Sequence, residues 1–179
     1  GLWCEVMESI ECLEGNGSED VMAVVYHLGE EALNLAGIHN PAELLRIAIS
    51  NGSAMDKFQE MVSAHGGLLD SLIDPNTHQP KFRDKVYAEK DGYISFMDTL
   101  SLGTAVVHLG GGRLQKEDVL DPTVGIVFHK KTGDVVKAEE ILLEVFCSNE
   151  KKIESGKLYI QKAIQIQSEL PTLYDIIYH

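Results

Sequence analysis

The stretch from residue 93 to residue 144 constrains the fold of this chain most, because its apolar residues change their spacing part-way along. In the first half they recur at helical spacing on one side of a short helix, at Leu100, Ala105, Val106 and Leu109. The three glycines at 110–112 end this helix, because a residue without Cβ readily adopts the left-handed conformation that closes helices. We therefore expect a short helix followed by a loop.

The second half of the stretch has the spacing of a strand. Val124, Ile126 and Phe128 alternate with other residues, and the turn sequence Lys-Thr-Gly-Asp follows at 131–134. A second apolar run of strand length occupies 141–146. The pattern predicts a hairpin packed beside the helix, because one face of alternating strands needs a partner layer.

Residues 1–67 have the pattern of four helices separated by glycines. The apolar face of the second helix is formed by Val21, Val24, Val25, Leu28, Ala32 and Leu35. A loop rich in Asp, Pro, Asn and Thr at 68–81 suits a subdomain boundary, and we expect the sheet to begin near Val86. Helical spacing returns over 150–168, and residues 173–178 have the composition of a short final strand.

Composition narrows the class of function. The 179 residues include 28 acidic and 15 basic side chains, for a formal net charge of −13, and the basic residues form no stripe. We expect neither a nucleic-acid partner nor a membrane partner. Three cysteines, an odd number without Cys-x-x-Cys spacing, fit free thiols in a reducing compartment, and we expect a cytoplasmic protein.

Three segments carry a resemblance to a known family. They are Leu-Gly-Gly-Gly-Arg at 109–113, Lys-Glu-Asp-Val at 116–119 with Asp121, and Val-Gly-Ile-Val at 124–127, which is followed by His-Lys-Lys at 129–131 and Gly-Asp at 133–134. Their spacing resembles the C-terminal domain of the pyrimidine nucleoside phosphorylases, the family that contains thymidine phosphorylase. The opening Glu-Val-Met-Glu-Ser-Ile at 5–10 and the glycine-bounded helices up to 67 are also similar to that family, so the likeness covers nearly the whole chain.

The resemblance implies a fold and a domain division. The fold class is α+β, with a helical segment followed by a small mixed β-sheet sandwich, hammerhead-like, that also contains helices. Residues 1–67 are expected to be the helical part of the phosphorylase α/β domain, 68–83 a linker, and 84–179 the C-terminal α+β domain. The chain opens at Gly1 inside the family pattern, so we expect a fragment, a processed product or one piece of a larger polypeptide.

The resemblance also implies a function. The full enzyme would be a pentosyltransferase, a glycosyltransferase of nucleoside salvage that converts thymidine or uridine and phosphate to the base and pentose 1-phosphate. Phosphate would be a co-substrate, no cofactor is required, and the full-length form would be a homodimer. The family's phosphate-binding and base-binding motifs precede the position of Gly1, so this chain is expected to lack the N-terminal half, to hold no catalytic or substrate-binding residue, and to be inactive alone.

Glu8 is the one candidate metal ligand. Glu5 and Glu8 lie three residues apart on the first helix, where they could share a cation or form a solvated acidic face. In the resembled family the second glutamate of this run helps bind a structural metal ion, K⁺ or Ca²⁺, together with backbone oxygens from upstream loops. That position is Glu8 here.

Two other segments of the sequence allow alternative interpretations. The glycines at 110–112 follow a helix and lack the Lys-Ser/Thr of a phosphate loop, which favours a structural turn. Residues 133–142 are similar to the turn of biotinyl and lipoyl carrier domains, although Lys130 and Lys131 have neither carrier setting. The alternatives to a phosphorylase are therefore a biotinyl or lipoyl-like carrier and a non-catalytic binding module.

Overall fold

The computed structural model describes residues 2–177, and helices occupy the first part of the chain. These are α1 (Trp3–Leu13), α2 (Glu19–Leu35), α3 (Pro41–Ser50), α4 (Ser53–Ala64) and α5 (Leu69–Ile73). The four helices predicted within residues 1–67 are confirmed. The short α5 lies where the composition predicted a loop, so that prediction is wrong over five residues.

Strands and helices alternate in the second part of the chain. The elements are β1 (Phe82–Tyr87), β2 (Gly92–Met97), α6 (Thr99–Val106), β3 (Gly125–Phe128), β4 (Val135–Val136), β5 (Ile141–Cys147), α7 (Glu150–Ala163) and β6 (Ile164–Gln167). The sheet region therefore begins four residues before Val86. The predicted α+β class is confirmed.

The chain divides into two compact units, which are described separately. Among the described residues, the sheet unit comprises 2–4 and 78–174, and the helical unit comprises 5–77 and 175–177. No helix within residues 2–177 combines the length and the apolar character needed to cross a bilayer.

The sheet unit contains two three-stranded sheets, with orders β1-β5-β3 and β4-β2-β6. The predicted hairpin strands do pair, because β3 lies antiparallel to β5 with Phe128 opposite Leu143. The turn between them carries β4, which pairs with β2 in the other sheet. All the strand pairs of the described residues are antiparallel.

The main core of the sheet unit lies between the β1-β5-β3 sheet and the helices α6 and α7. Its largest fully covered side chains are those of Leu109, Val124, Leu143, Val145, Cys147 and Ile160. A smaller cluster at the second sheet contains Ala88, Ile94, Val136 and Leu142. Gly156 of α7 permits this packing, because a Cβ there would lie 2.6 Å from Cγ of Leu109.

Two predictions for the end of the chain are wrong. The helix expected over 150–168 ends at Ala163, and residues 164–167 form β6, which pairs with β2. The alternating sequence Ile-Gln-Ile-Gln favours a strand once β2 supplies backbone partners. Residues 173–177 form no strand, and Tyr178, the last residue of that prediction, lies outside the described residues.

The helical unit has little core of its own. Within its described residues, Ile10 of α1 is the one fully buried apolar side chain, and α2, α3 and α4 contain none. The helices α2 and α3 meet through Gly29, where a Cβ would lie 2.9 Å from Cδ1 of Leu45, and through Arg46, which lies over the Tyr26 ring. The apolar face predicted for α2 is instead largely exposed.

Candidate functional site

The turn after α6 is closed by glycine geometry. The helix continues as a π-helical turn, Val107–Gly111, and Gly110 has a φ of 112°, in the left-handed region that favours glycine. The Gly110 carbonyl accepts a hydrogen bond of 2.9 Å from the backbone N–H of Asp121. The glycine run thus ends a helix and anchors the following loop, the geometry expected of a structural turn.

Asp121 is the centre of the most connected polar group in the sheet unit. Its Oδ1 accepts hydrogen bonds from the backbone N–H and the hydroxyl of Thr123, at 3.0 and 2.7 Å. The backbone N–H of Ser148 donates to Oδ2 at 2.6 Å, and the Ser148 hydroxyl lies 3.3 Å from Oδ1. The two hydroxyl oxygens are 2.9 Å apart. We call Asp121, Thr123 and Ser148 the Asp121 hub.

The Asp121 hub connects two segments of the sheet unit through hydrogen bonds. Partial burial alone would raise the pKa of Asp121, but the hydrogen bonds from Thr123 and Ser148 outweigh it and hold the pKa below its ordinary value. The carboxylate stays charged and its oxygens are already occupied by donors. The hub therefore ties the loop before β3 to the β5–α7 junction.

Sequence reasoning noted Asp121 only within the family pattern and missed its partners. Asp-Pro-Thr is a recognisable turn signal, because an Asp side chain hydrogen-bonds to the backbone two residues on. Ser148 carries no such signal, since it reaches the hub through the fold.

Glu8, the predicted metal ligand, lies exposed on α1. Burial, and then the charges of Glu8 and Glu11, raise the pKa of the nearby Cys12 thiol. Within residues 2–177, no three His, Cys, Asp or Glu side chains are grouped so that they could hold a metal ion. Glu8 can offer one carboxylate, so a bound K⁺ or Ca²⁺ would need backbone oxygens or ligands from another polypeptide. Glu8 remains a prediction.

The lysines beside the β3–β4 turn bear on the carrier alternative. Lys130 Nζ lies 2.7 Å from Glu140 Oε1, and its side chain is only 26% exposed. The turn itself pairs with β2, because the Gly133 N–H donates to Ile94 O and the Ile94 N–H donates to Asp134 O. A carrier lysine needs an accessible hairpin tip, so the ion pair and partial burial of Lys130 do not favour that residue, whereas Lys131 is exposed at the turn.

The described histidines are dispersed through the two units. His108 stacks on Tyr159 with ring centroids 4.3 Å apart, and His78 lies 5.6 Å from Trp3. His129 Nε2 is 3.4 Å from Glu144 Oε1 at the sheet surface. Each of these three imidazoles contacts an aromatic ring or a carboxylate. His179 lies outside the described residues.

A cavity of about 330 Å³ opens in the sheet unit. Its walls are about equally polar and apolar and are formed by Val86, Tyr87, Glu89, Lys90, Leu142, Gln161, Ile164, Gln165 and Ile166. None of these residues belongs to the Asp121 hub.

Comparison with known proteins places this architecture in a family. Residues 93–167 match the family model described as the pyrimidine nucleoside phosphorylase C-terminal domain. This range covers the elements from β2 to β6 and includes the glycine turn and the Asp121 hub.

Curated relatives match a longer part of the chain. The pyrimidine-nucleoside phosphorylase of Geobacillus stearothermophilus is 35% identical over 182 residues, which cover 97% of this chain and 42% of the relative. Those of Staphylococcus haemolyticus and Staphylococcus epidermidis are 36% and 37% identical over 177 residues, covering 94% of this chain and 40% of each relative. The chain spans about two fifths of the length of these relatives.

The α+β sheet unit is thus a phosphorylase-type C-terminal domain. The chain belongs to the pyrimidine nucleoside phosphorylase family and corresponds to the C-terminal portion of its members, as the resemblance predicted.

Proposed function

We propose that this chain acts as the C-terminal portion of a pyrimidine nucleoside phosphorylase that converts thymidine or uridine and phosphate to the free base and pentose 1-phosphate. The observation that carries the proposal is similarity to phosphorylases over 94–97% of the chain, rather than over the C-terminal domain alone. The enzyme would be a pentosyltransferase of nucleoside salvage in the cytoplasm, and its full-length form a homodimer.

In this reaction a phosphate oxygen bonds to the anomeric carbon while the bond from that carbon to the base breaks. Such chemistry depends on holding phosphate and nucleoside in line and on stabilising the charge of the departing base. The residues for these tasks would lie in the N-terminal half of the enzyme. This chain would contribute a rigid body, stiffened by the core around Leu143 and by the Asp121 hub.

The activity test compares the chain alone with a hybrid polypeptide. The hybrid joins the part of the Geobacillus stearothermophilus phosphorylase that this chain does not match to the complete 179-residue chain. Release of thymine or uracil is followed by chromatography with phosphate present. We expect turnover by the hybrid and none by the chain alone.

Two outcomes would contradict the proposal. Phosphorolysis by the purified chain alone would show that catalytic groups lie within it. A folded hybrid that releases no base would show that the chain does not complete a phosphorylase.

The metal role of Glu8 is part of the same proposal and has its own test. In the hybrid we expect K⁺ or Ca²⁺ to raise the thermal midpoint, because an ion that binds only the folded state stabilises it. Glu8→Gln should remove that rise, since an amide is a weaker cation ligand than a carboxylate. Glu11→Gln is the matched control and should keep it, and an equal loss in both variants would reject Glu8 as a ligand.

A further inference from the structure

The cavity of the sheet unit is formed by strands from both of its sheets. Its volume is about 330 Å³, and it is lined by β1 and β5 of one sheet, β6 of the other, the β1–β2 connection and the end of α7. Cavities that hold small molecules have volumes of roughly 300–1,000 Å³. The cavity therefore has room for a small ligand, and the proposed phosphorolysis does not use it.

Branched aliphatic side chains form the apolar part of the cavity. Val86 and Leu142 are buried, and Ile164 and Ile166 are half-buried. The two isoleucines pack against the small cluster at the second sheet, to which Leu142 belongs. A ligand that places a short aliphatic chain here removes apolar surface from water, which favours binding.

Polar side chains without partners of their own form the rest of the lining. Glu89 and Lys90 are adjacent and exposed. Within residues 2–177, neither of them forms an ion pair, and the side-chain amides of Gln161 and Gln165 form no hydrogen bond. Elsewhere in the sheet unit, several lysines each pair with a carboxylate, namely Lys85, Lys130, Lys137 and Lys157. The charges beside the cavity are thus available to a ligand.

The signs of these charges define the class of ligand. A purely anionic or cationic molecule would be attracted by one of Glu89 and Lys90 and repelled by the other. A zwitterion can pair its carboxylate with the Lys90 ammonium and its ammonium with the Glu89 carboxylate. The amides of Gln161 and Gln165 can donate to and accept from the same two groups. A zwitterion with a branched aliphatic chain is an aliphatic α-amino acid.

We propose that this cavity binds a free aliphatic α-amino acid, with its side chain against Leu142 and Ile166 and its charged groups at Glu89 and Lys90. An internal residue of a peptide has neither charged group, so it could not satisfy both side chains. The site goes beyond the proposed function and does not depend on it.

The first test removes one chemical group of the ligand at a time. The ¹⁵N-labelled 179-residue chain is titrated with L-leucine and followed by amide chemical shifts. The analogues are 4-methylpentanoate without the ammonium, 3-methylbutylamine without the carboxylate, and glycine without the side chain. We expect saturable shifts with leucine at the residues that line the cavity, about threefold weaker binding of the first two analogues, and none of glycine, since an exposed ion pair contributes a small factor.

The second test removes the matching group of the protein. Lys90→Met should weaken leucine binding about threefold and should not weaken binding of 3-methylbutylamine, which has no carboxylate to lose a partner. Glu89→Gln should likewise weaken leucine and spare 4-methylpentanoate. Lys116→Met and Glu117→Gln are the matched controls, because these adjacent residues are also exposed but do not line the cavity. They should leave every affinity unchanged.

Several results would overturn the proposal. One is the absence of saturable shifts with leucine up to about 10 mM. Others are equal affinities for leucine and the two singly charged analogues, or equal weakening by the control substitutions. Binding of N-acetyl-leucine methylamide as tight as that of leucine would show that the cavity takes a peptide segment instead. These measurements need no phosphorolysis, so their outcome and that of the activity test remain separate.

Discussion

The two units bury their apolar residues very differently. Of the seventeen buried apolar residues in the described part of the chain, sixteen lie in the sheet unit and Ile10 alone lies in the helical unit. The helical unit nevertheless has regular amphipathic helices and the larger share of net charge. Amphipathic helices therefore do not by themselves make a core, and the two units should respond differently to the same kind of substitution.

The largest difference should come from leucine truncation. Leu143→Ala in β5 should lower the free energy of unfolding by about 2–5 kcal/mol, because it leaves a cavity in the main core. Leu35→Ala in α2 should change it by no more than about 0.5 kcal/mol. Urea denaturation of both variants measures the contrast, and similar losses would remove the distinction between the units.

Glycine substitutions should separate a constrained position from an open one within the sheet unit. Gly92 has a φ of 153°, and a Cβ there would overlap the carbonyl oxygen of Gln167, so Gly92→Ala should cost about 1–3 kcal/mol by disturbing the β2–β6 pairing. Gly103→Ala in α6 is the control, because a Cβ there meets no heavy atom within 4 Å. It should stabilise by up to about 1 kcal/mol. Thermal melts measure both variants. Equal destabilisation by Gly92→Ala and Gly103→Ala would show that the backbone geometry at Gly92 does not require a glycine.

Acid should weaken the sheet unit through the Asp121 hub. The pKa of Asp121 is lower in the folded state than its ordinary value, so its contribution is present above about pH 4 and is lost as pH falls through the lowered pKa. Asp121→Asn should destabilise by about 1–2 kcal/mol at neutral pH and flatten the acid limb of the stability profile. The unsubstituted protein is the reference, and an Asp121→Asn variant with the same acid limb would contradict the role of the hub.

The smallest effects should come from ion pairs. Lys157 lies 2.6 Å from Asp84 with its side chain 20% exposed, whereas Lys57 pairs with Glu60 at 75% exposure. The hydrogen bond from Lys157, together with that of the Lys85 backbone, lowers the pKa of Asp84 despite partial burial. Lys157→Ala should cost about 1 kcal/mol and Lys57→Ala less than about 0.5 kcal/mol. Chemical denaturation measures the free energy of unfolding of both variants, and a greater loss for Lys57→Ala than for Lys157→Ala would contradict this prediction.

The spacing of apolar residues predicted the positions of the helices and strands better than it predicted what covers their apolar faces. The positions of α1 to α4 follow from helical spacing and glycine breaks, and the β3–β5 pairing follows from alternation. The same spacing on α2 could not indicate that Leu28 and Leu35 are exposed, because a pattern defines a face and not what covers it. At 164–167, isoleucines that continue the helical spacing of α7 form β6, because pairing with β2 prevails over local preference.

The site could be predicted less well than the fold. Asp121 and Thr123 share a local turn signal, but Ser148 joins them only after β3 and β5 have paired. The Glu8 prediction came from family likeness and not from ligand spacing. A site whose members come from separate segments leaves no compact motif to recognise.

The second sheet has a consequence for the order in which the chain can fold during synthesis. Its central strand, β2, is paired on one side by β4 and on the other by β6, with Tyr93 opposite both Val135 and Gln167. A ribosome makes β2 long before β6, so β2 waits with an open edge while most of the domain is still being translated. The helices of residues 3–64 depend on near neighbours and can form first. Synthesis of β6 thus completes the sheet, and a chain stopped at Ala163 would retain an unpaired, aggregation-prone edge.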